Sequence, residues 1–336
     1  MDWFEAITGF KEGEYHDTTS KLVEIDGYLH SKLSSKIYAV GDFQVPSLAE
    51  LRDRRNQYGS SGRLSVKNIS GDVRSMHSDR QYAGALFQVA SQFNMLEMVH
   101  PGVTPEEGVT GYQFDHTQGP ACAMAAGAAT IYRNYLVPVG NQDGQTSDRQ
   151  IDGLAELGAK LAEMLGVDIT DLWLMSNGYA MASAEGLRKI GDLLRSCSPE
   201  ERELLKGSLR IGLHTGCQVT DVPPEEKVLV CQSFCSALPV AYTGIEKHLW
   251  EPFARLVLEA SYEATILAGL ENMQSGRSNK ILLTKLGGGA FGNREDWIGG
   301  AIRKALETAA DEELSVLIVS YGETSEHMRA IERCFL

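Results

Sequence analysis

Beyond the short Arg52-Asp-Arg-Arg55, lysine and arginine form no run in this chain, and its 336 residues carry a formal charge of −14. A nucleic-acid surface needs a basic stripe to meet phosphates, so no nucleic-acid partner is expected. Apolar stretches of bilayer-spanning length are missing as well, and no membrane is implied. The first residues, Met1-Asp-Trp-Phe-Glu-Ala, lack the basic start and apolar core of a secretory signal, which points to a cytoplasmic protein. Cysteine is sparse: Cys122, Cys197, Cys217, Cys231, Cys235 and Cys334 are scattered, and none forms a Cys-x-x-Cys pair. None of the eight histidines falls at ligand spacing near a cysteine pair, so no zinc is expected and buried, reduced thiols suit the pattern. Neither an internal repeat nor a low-complexity tract appears.

What the chain does have is core: 43% of it is hydrophobic, ample for one large α/β domain or two modest ones. Residues 18–33 read as a helix, 36–45 as extended chain, and a charged helix follows Pro46. Residues 57–62, Gln57-Tyr-Gly-Ser-Ser-Gly62, read as a flexible link. Strands are expected at 63–69 and 83–93, then a loop-like 101–118. Pro120 sits in the first turn of a slim helix rich in Ala and Gly, whose N-terminus could press against sheet or ligand. A polar loop at 140–152 leads into the helix of Leu154, Leu157, Leu161 and Leu165. Beyond it come a strand at 172–177, helices between 184 and 206, strands at 209–217 and 227–238, and a long helix from Pro252 to about Met273. Alternating strands and helices predict a three-layer α/β/α sandwich on a mixed sheet, with residues 1–64 as an N-terminal extension and 65–336 as the main domain.

The most informative stretch is Ile281-Leu-Leu-Thr-Lys-Leu-Gly-Gly-Gly-Ala-Phe-Gly-Asn293. An apolar strand breaks into four glycines and restarts as a helix over roughly 295–310, after which Ser315-Val-Leu-Ile-Val-Ser-Tyr321 reads as a buried parallel strand. Gly287, Gly288, Gly289 and Gly292 permit a tight turn that leaves backbone N–H groups free to converge on an anion. A phosphate-bearing nucleotide is therefore the leading ligand class. Gly287-x-Gly289-x-x-Gly292 formally matches the dinucleotide fingerprint of NAD enzymes. Only one strand follows it, however, where a nucleotide-binding half needs βαβαβ. No Gly-Lys-Ser/Thr follows, which removes the P-loop reading. Glycines that merely let a helix pack close to a sheet remain the plain alternative.

Taken together, these residues resemble the macrodomain family, in particular its poly(ADP-ribose) glycohydrolase-like branch. Leu286-Gly-Gly-Gly-Ala-Phe-Gly-Asn293 looks like that branch's second phosphate loop, Gly71-Asp72-Val73 like the Gly-Asp-Ile that ends the first strand, and Leu86-Phe-Gln-Val-Ala-Ser-Gln-Phe-Asn94 like the strand whose Asn reaches the distal ribose. The arrangement, including Asp115-His-Thr-Gln-Gly-Pro-Ala-Cys-Ala, is also similar to macrodomains of bacterial effectors and eukaryotic homologues that remove ADP-ribose from arginine. The Gly-Gly-Gly and paired Gln-Glu-Glu of chain-degrading glycohydrolases are absent, and Thr117-Gln118-Gly119-Pro120-Ala121 stands where the first phosphate loop belongs.

The resemblance implies an ADP-ribose site made by Asp72, Val73, Asn94, Gln118, Gly119, Ala121, Gly287, Gly288, Gly289, Ala290, Phe291, Gly292, Asn293 and Tyr321. Asp72 would accept from the adenine amino group, and Tyr321 and Phe291 would pack on the adenine and the distal ribose. Asp143, Asp148 and Asp152, clustered beside glycines, together with Asp115, are the candidates to hold a guanidinium and activate water; Asp143 and Asp152 come first. Each has a plainer reading as a loop or capping Asp. Clustered carboxylates could also hold Mg²⁺, though macrodomains generally need no metal. His116 and His214 are possible general bases. The expected activity is hydrolysis of mono-ADP-ribose from protein side chains, arginine above all, with ADP-ribose as product and no cofactor. The competing readings are a reader that binds ADP-ribosylated partners without cleaving them and an NAD-dependent oxidoreductase.

Overall fold

A computed structural model describes residues 1–55 and 62–336; residues 57–61 of the expected link lie outside them. Seven strands make the central sheet: β1 (Asp42–Gln44), β2 (Ser65–Ser70), β3 (Leu86–Ala90), β4 (Gly212–Gln218), β5 (Leu229–Cys235), β6 (Lys280–Leu283) and β7 (Ser315–Ser320). Their order across the sheet is β1-β4-β5-β3-β6-β7-β2. β5, β3, β6, β7 and β2 are mutually parallel, while β4 runs antiparallel to both of its neighbours. The sheet is therefore mixed, with its carboxyl edge formed by five adjacent strands.

Alternation along the strands explains the layers. Ile281, Leu283, Val316 and Ile318 point to one face and meet the helices α4 (Lys247–Gln274) and α5 (Glu295–Glu307). Leu282, Leu317, Phe87 and Val89 point to the other, where α1 (Val73–Ser78), α2 (Gln118–Ala125) and α3 (Gly127–Tyr135) lie. Strands covered on both faces are mostly apolar, which is why Ile281–Leu283 of β6 and Val316–Val319 of β7 read as hydrophobic runs and β3 is broken only by the buried Gln88. The expected α/β/α sandwich on a mixed sheet is what the chain forms.

The helix expected over residues 18–33 is not there. A short helix, Tyr15–Ser20, gives way to a three-stranded antiparallel sheet of Leu22–Ile25, Tyr28–Ser31 and Ser34–Ala39. Asp26 and Gly27, with φ of 52° and 81°, form the two-residue turn that Asp-Gly favours, and the local turn overrides the helix-like spacing of Leu22, Ile25 and Leu29. Asn177 and Gly178 (φ 45° and 79°) do the same further on, folding the expected strand Trp173–Ser176 back onto Tyr179–Ala182. That second hairpin brings Tyr179 to the site described below. The long helix begins at Lys247, five residues before Pro252, which it accommodates internally.

Residues 1–55 pack into the same body. β1 belongs to the central sheet, Leu48 and Leu51 are in the main core, and Phe4, Ile7, Phe10 and Tyr15 pack on Ala123, Ile131 and Tyr135. The Glu12 carboxylate accepts from the backbone N–H of Val109 and Thr110 and from the Tyr135 hydroxyl, anchoring the loop that leads to α2. All six cysteines are free. Among the described residues no helix is long and apolar enough to cross a membrane, and no group of three or more His, Cys, Asp or Glu side chains is placed to hold a metal ion.

Candidate functional site

At the carboxyl edge of the parallel strands lie two adjoining cavities of about 420 and 350 Å³. They share His116, Thr117, Gln118, Thr284, Lys285 and Gly289 as walls, so together they form one elongated cleft across the ends of β3, β6, β7 and β2. This is where an open α/β sheet places its ligands.

The glycine loop spans residues 284–294, between β6 and α5. Its ends are pinned from beneath. The Tyr262 hydroxyl accepts from Leu286 N and donates to the Thr284 carbonyl, and the Asn293 side chain donates to the Leu238 carbonyl. Within it, Gly288 N bonds Lys285 O, Gly292 N bonds Gly289 O, and Asn293 N bonds Gly287 O. The three successive N–H groups of Gly289, Ala290 and Phe291 have no acceptor among the described residues. Consecutive free amides at the wall of a cavity are backbone of the kind that can take an anion. Gly287, Gly288, Gly289, Ala290 and Phe291 line the cleft, whereas Gly292 (φ 70°) and Asn293 shape the loop from outside it.

The opposite wall is the N-terminus of α2. Gln118 acts as an added rung on β3: its Oε1 accepts from Ala90 N and its Nε2 donates to the Gln88 carbonyl. The slim helix presses on the strand so closely that a Cβ at Gly119 would stand 2.0 Å from the Ala90 oxygen. Gly119→Ala is therefore expected to force helix and strand apart, costing on the order of 1–3 kcal/mol of stability, read as a lowered midpoint in urea unfolding.

The smaller cavity is lined by Asp72, Val73, Ala121, Leu282, Val319 and Tyr321, an apolar floor with a carboxylate at one end. Asp72 caps α1, accepting from Arg74 N, Ser75 N and the Ser75 hydroxyl. The Ser75 hydroxyl, with the backbone amides, holds the Asp72 carboxyl below its ordinary value, so it stays an ionised acceptor. Tyr321 stands exposed at the rim.

At the larger cavity's far end Tyr179, Tyr242 and Phe291 form an aromatic triad with ring centroids 5.3 to 5.5 Å apart. Of the four aspartates singled out in the sequence, Asp115 lines this cavity, one oxygen accepting from Thr117 N. Asp143 and Asp148 are exposed on the loop after α3, and Asp152 accepts from Leu154 N at the start of the helix Ala155–Leu165. Burial raises the Asp152 carboxyl above its usual range. None of these three is among the described residues lining the cleft. Asn94 is likewise turned away: its Nδ2 donates to Gln150 and its Oδ1 accepts from Leu96 N, in the tight turn that Met95 makes at φ 62°. His116 is exposed between the two cavities, while His214 is buried on strand β4 of the sheet and lines neither.

One cleft residue was not anticipated. Glu97 is 2% exposed, lines the larger cavity, and has no hydrogen-bond partner for either carboxyl oxygen among the described residues. Burial pushes its pKa up to about 8, against the opposing pull of Arg133. A carboxyl raised in this way, in a cleft, with free oxygens, is equipped for proton transfer.

No protein-family model matches the chain, and no curated protein matches it by sequence. Solved structures resemble it in overall shape. Poly(ADP-ribose) glycohydrolase from Deinococcus radiodurans in complex with ADP-ribose is 12% identical, with 87% of this chain and 93% of that one covered and a TM-score of 0.46. The glycohydrolase from Thermomonospora curvata bound to the inhibitor ADP-HPD is 12% identical, with 94% of each chain covered and a TM-score of 0.42.

Proposed function

We propose that the cleft binds ADP-ribose and that the protein hydrolyses the bond between ADP-ribose and a modified protein side chain, most specifically arginine. The observation that carries the proposal is the trio of free amides of Gly289, Ala290 and Phe291 set across one cavity from the α2 N-terminus, a two-sided backbone cradle for a pyrophosphate. On either side of it the cleft matches the two ends of the ligand: an apolar slot with the Asp72 acceptor for adenine, and the aromatic triad with Glu97 for the distal ribose. With a chain this acidic, backbone amides beside Lys285 and His116 supply the positive potential.

In the reaction, the ionised Glu97 takes a proton from a water as its oxygen bonds the anomeric carbon. The carbon–nitrogen bond breaks, and the proton passes to the departing guanidine, leaving ADP-ribose and an unmodified arginine. Charge building on the ribose is oxocarbenium-like and is stabilised by the nearby carboxylates. Asp115, on the same cavity, is suited to the guanidinium, which stays charged and pairs best with carboxylates. Asp143, Asp148 and Asp152, outside that wall, are not assigned a chemical step.

The test incubates the protein with arginine-, glutamate- and serine-linked ADP-ribosylated proteins and follows free ADP-ribose. Release from the arginine linkage is expected, lowered in Glu97→Gln and Asp115→Asn and retained in Asp143→Asn and Asp148→Asn. Tight ADP-ribose binding without release from any linkage would instead make the protein a reader. Nicotinamide absorbance changes with NAD(H) would favour the oxidoreductase.

A further inference from the structure

Behind Glu97 stands a second charge with no contact to the cleft. Arg133, on α3, is fully buried, and its guanidinium is held on every side. Its Nε donates to the Met95 carbonyl at 3.1 Å, its Nη2 to Thr130 Oγ1 at 3.1 Å, and its Nη1 to His214 Nδ1 at 3.3 Å. The ring of Phe234 lies under it at 3.7 Å. With one N–H on each of its nitrogens engaged in these bonds, it approaches Glu97 Oε1 only to 3.6 Å. Compare Arg74 and Asp221 on the surface, a bidentate pair with both contacts at 2.7 Å. In that pair the carboxylate is consumed. In the buried pair it is attracted and left open.

We propose that Arg133 is a positioning residue that holds the Glu97 carboxylate against the cleft wall with both oxygens free, and that His214 fixes Arg133 for this task by accepting from its Nη1. Burial and the neighbouring guanidinium depress His214 far below its ordinary value, so it is neutral and its Nδ1 lone pair is available as acceptor. Arg133 keeps its charge, as guanidinium does in proteins. The groups facing Glu97 are then Arg133 from α3, Tyr112 from the preceding turn, Cys122 from α2, and Asp115, His116 and Lys285 around the cavity. Burial lifts Tyr112 and Cys122 well above their ordinary values, so both stay neutral. Arg133 is the one buried cation in that set.

The kinetic half of this inference rests on the role proposed for Glu97, while the electrostatic half does not. The test follows the Glu97 carboxyl by 13C NMR in protein labelled at glutamate, across pH 5 to 10, alongside the pH profile of turnover. Removing a cation at this distance raises a carboxyl's midpoint by about 1–3 units. Arg133→Met is expected to move both the carboxyl midpoint and the kinetic limb upward by that amount, Arg133→Lys to restore much of the shift, and His214→Leu to move it in the same direction by less. ADP-ribose affinity should stay within a few-fold. His214→Leu decides the matter should Arg133→Met fail to fold, and the Glu97 titration in Arg133→Lys provides a third reading. An unchanged midpoint in the folded variants, with turnover reduced equally at every pH, would overturn the proposal and leave Arg133 a packing residue. A wild type without turnover would defeat the proposed activity, yet the carboxyl titration would still report on Arg133.

Discussion

Replacing Glu97 with glutamine is expected to lower turnover on the order of 10²- to 10⁴-fold, the usual contribution of a positioned acid–base group. ADP-ribose affinity should change little, because the carboxylate contributes chiefly where a water attacks, in the transition state. The same substitution should stabilise the fold, in a pH-dependent way. Burial pushes the Glu97 carboxyl up to about 8, from an ordinary value of 4.5. A carboxyl raised on folding contributes stability that is fully present below the unfolded value and is lost as pH rises towards the folded one. The wild type therefore loses stability between roughly pH 4.5 and 8, and glutamine, which cannot ionise, does not. The gap in melting temperature between Glu97→Gln and wild type should be near zero at pH 4.5, widen to the equivalent of a few kcal/mol by pH 8, and level off above. Calorimetric scans at four pH values, with turnover measured on the same samples, read both effects. A variant that keeps its turnover, or whose stability gap does not widen with pH, would remove Glu97 from the mechanism.

That Glu97 was not legible in the sequence has a physical cause. It follows β3 by seven residues, in Phe93-Asn-Met-Leu-Glu-Met98, where no periodicity marks a strand or helix. The available signal was a lone carboxylate flanked by Leu96 and Met98, both fully buried. The denser carboxylates of the sequence lie elsewhere. Asp143, Asp148 and Asp152 are dense in sequence, but density in a polar loop reflects solvation and capping as readily as catalysis, and Asp152 is indeed engaged by the backbone of its own helix. Convergence on the cleft depends on long-range contacts, such as the Asn177-Gly178 turn that delivers Tyr179, and spacing along the chain does not report those. Elements defined by local rules were read well: β6, the glycine turn, α5 and β7, and the proline-led start of α2. The N-terminal error was also local, since Asp26-Gly27 carried the hairpin signal that helical spacing obscured.

The glycine loop offers a prediction in which neighbouring substitutions should behave oppositely. At Gly289 an added Cβ would meet nothing within 4 Å, and no positive φ is required there. Gly289→Ala should therefore fold normally and bind ADP-ribose nearly as the wild type does. Gly289→Glu should fold as well, since the side chain enters the open cleft, but it sets a bulky negative charge at the wall shared by the two cavities. Losing charge-assisted hydrogen bonds to a pyrophosphate costs about 1.5–3 kcal/mol each, so a weakening of affinity by roughly 10²-fold or more is expected, with an unchanged melting temperature. Gly287 is the contrasting case. Its φ is +69°, and a Cβ there would lie 2.4 Å from the Cβ of Ala237. Gly287→Ala must distort the turn, so both stability and affinity should fall together. Isothermal titration with ADP-ribose, paired with thermal unfolding of each variant, separates the three outcomes. Should Gly289→Glu bind as tightly as wild type while Gly287→Ala is harmless, the free amides of this loop do not hold the phosphates, and the ligand assignment built on them is wrong.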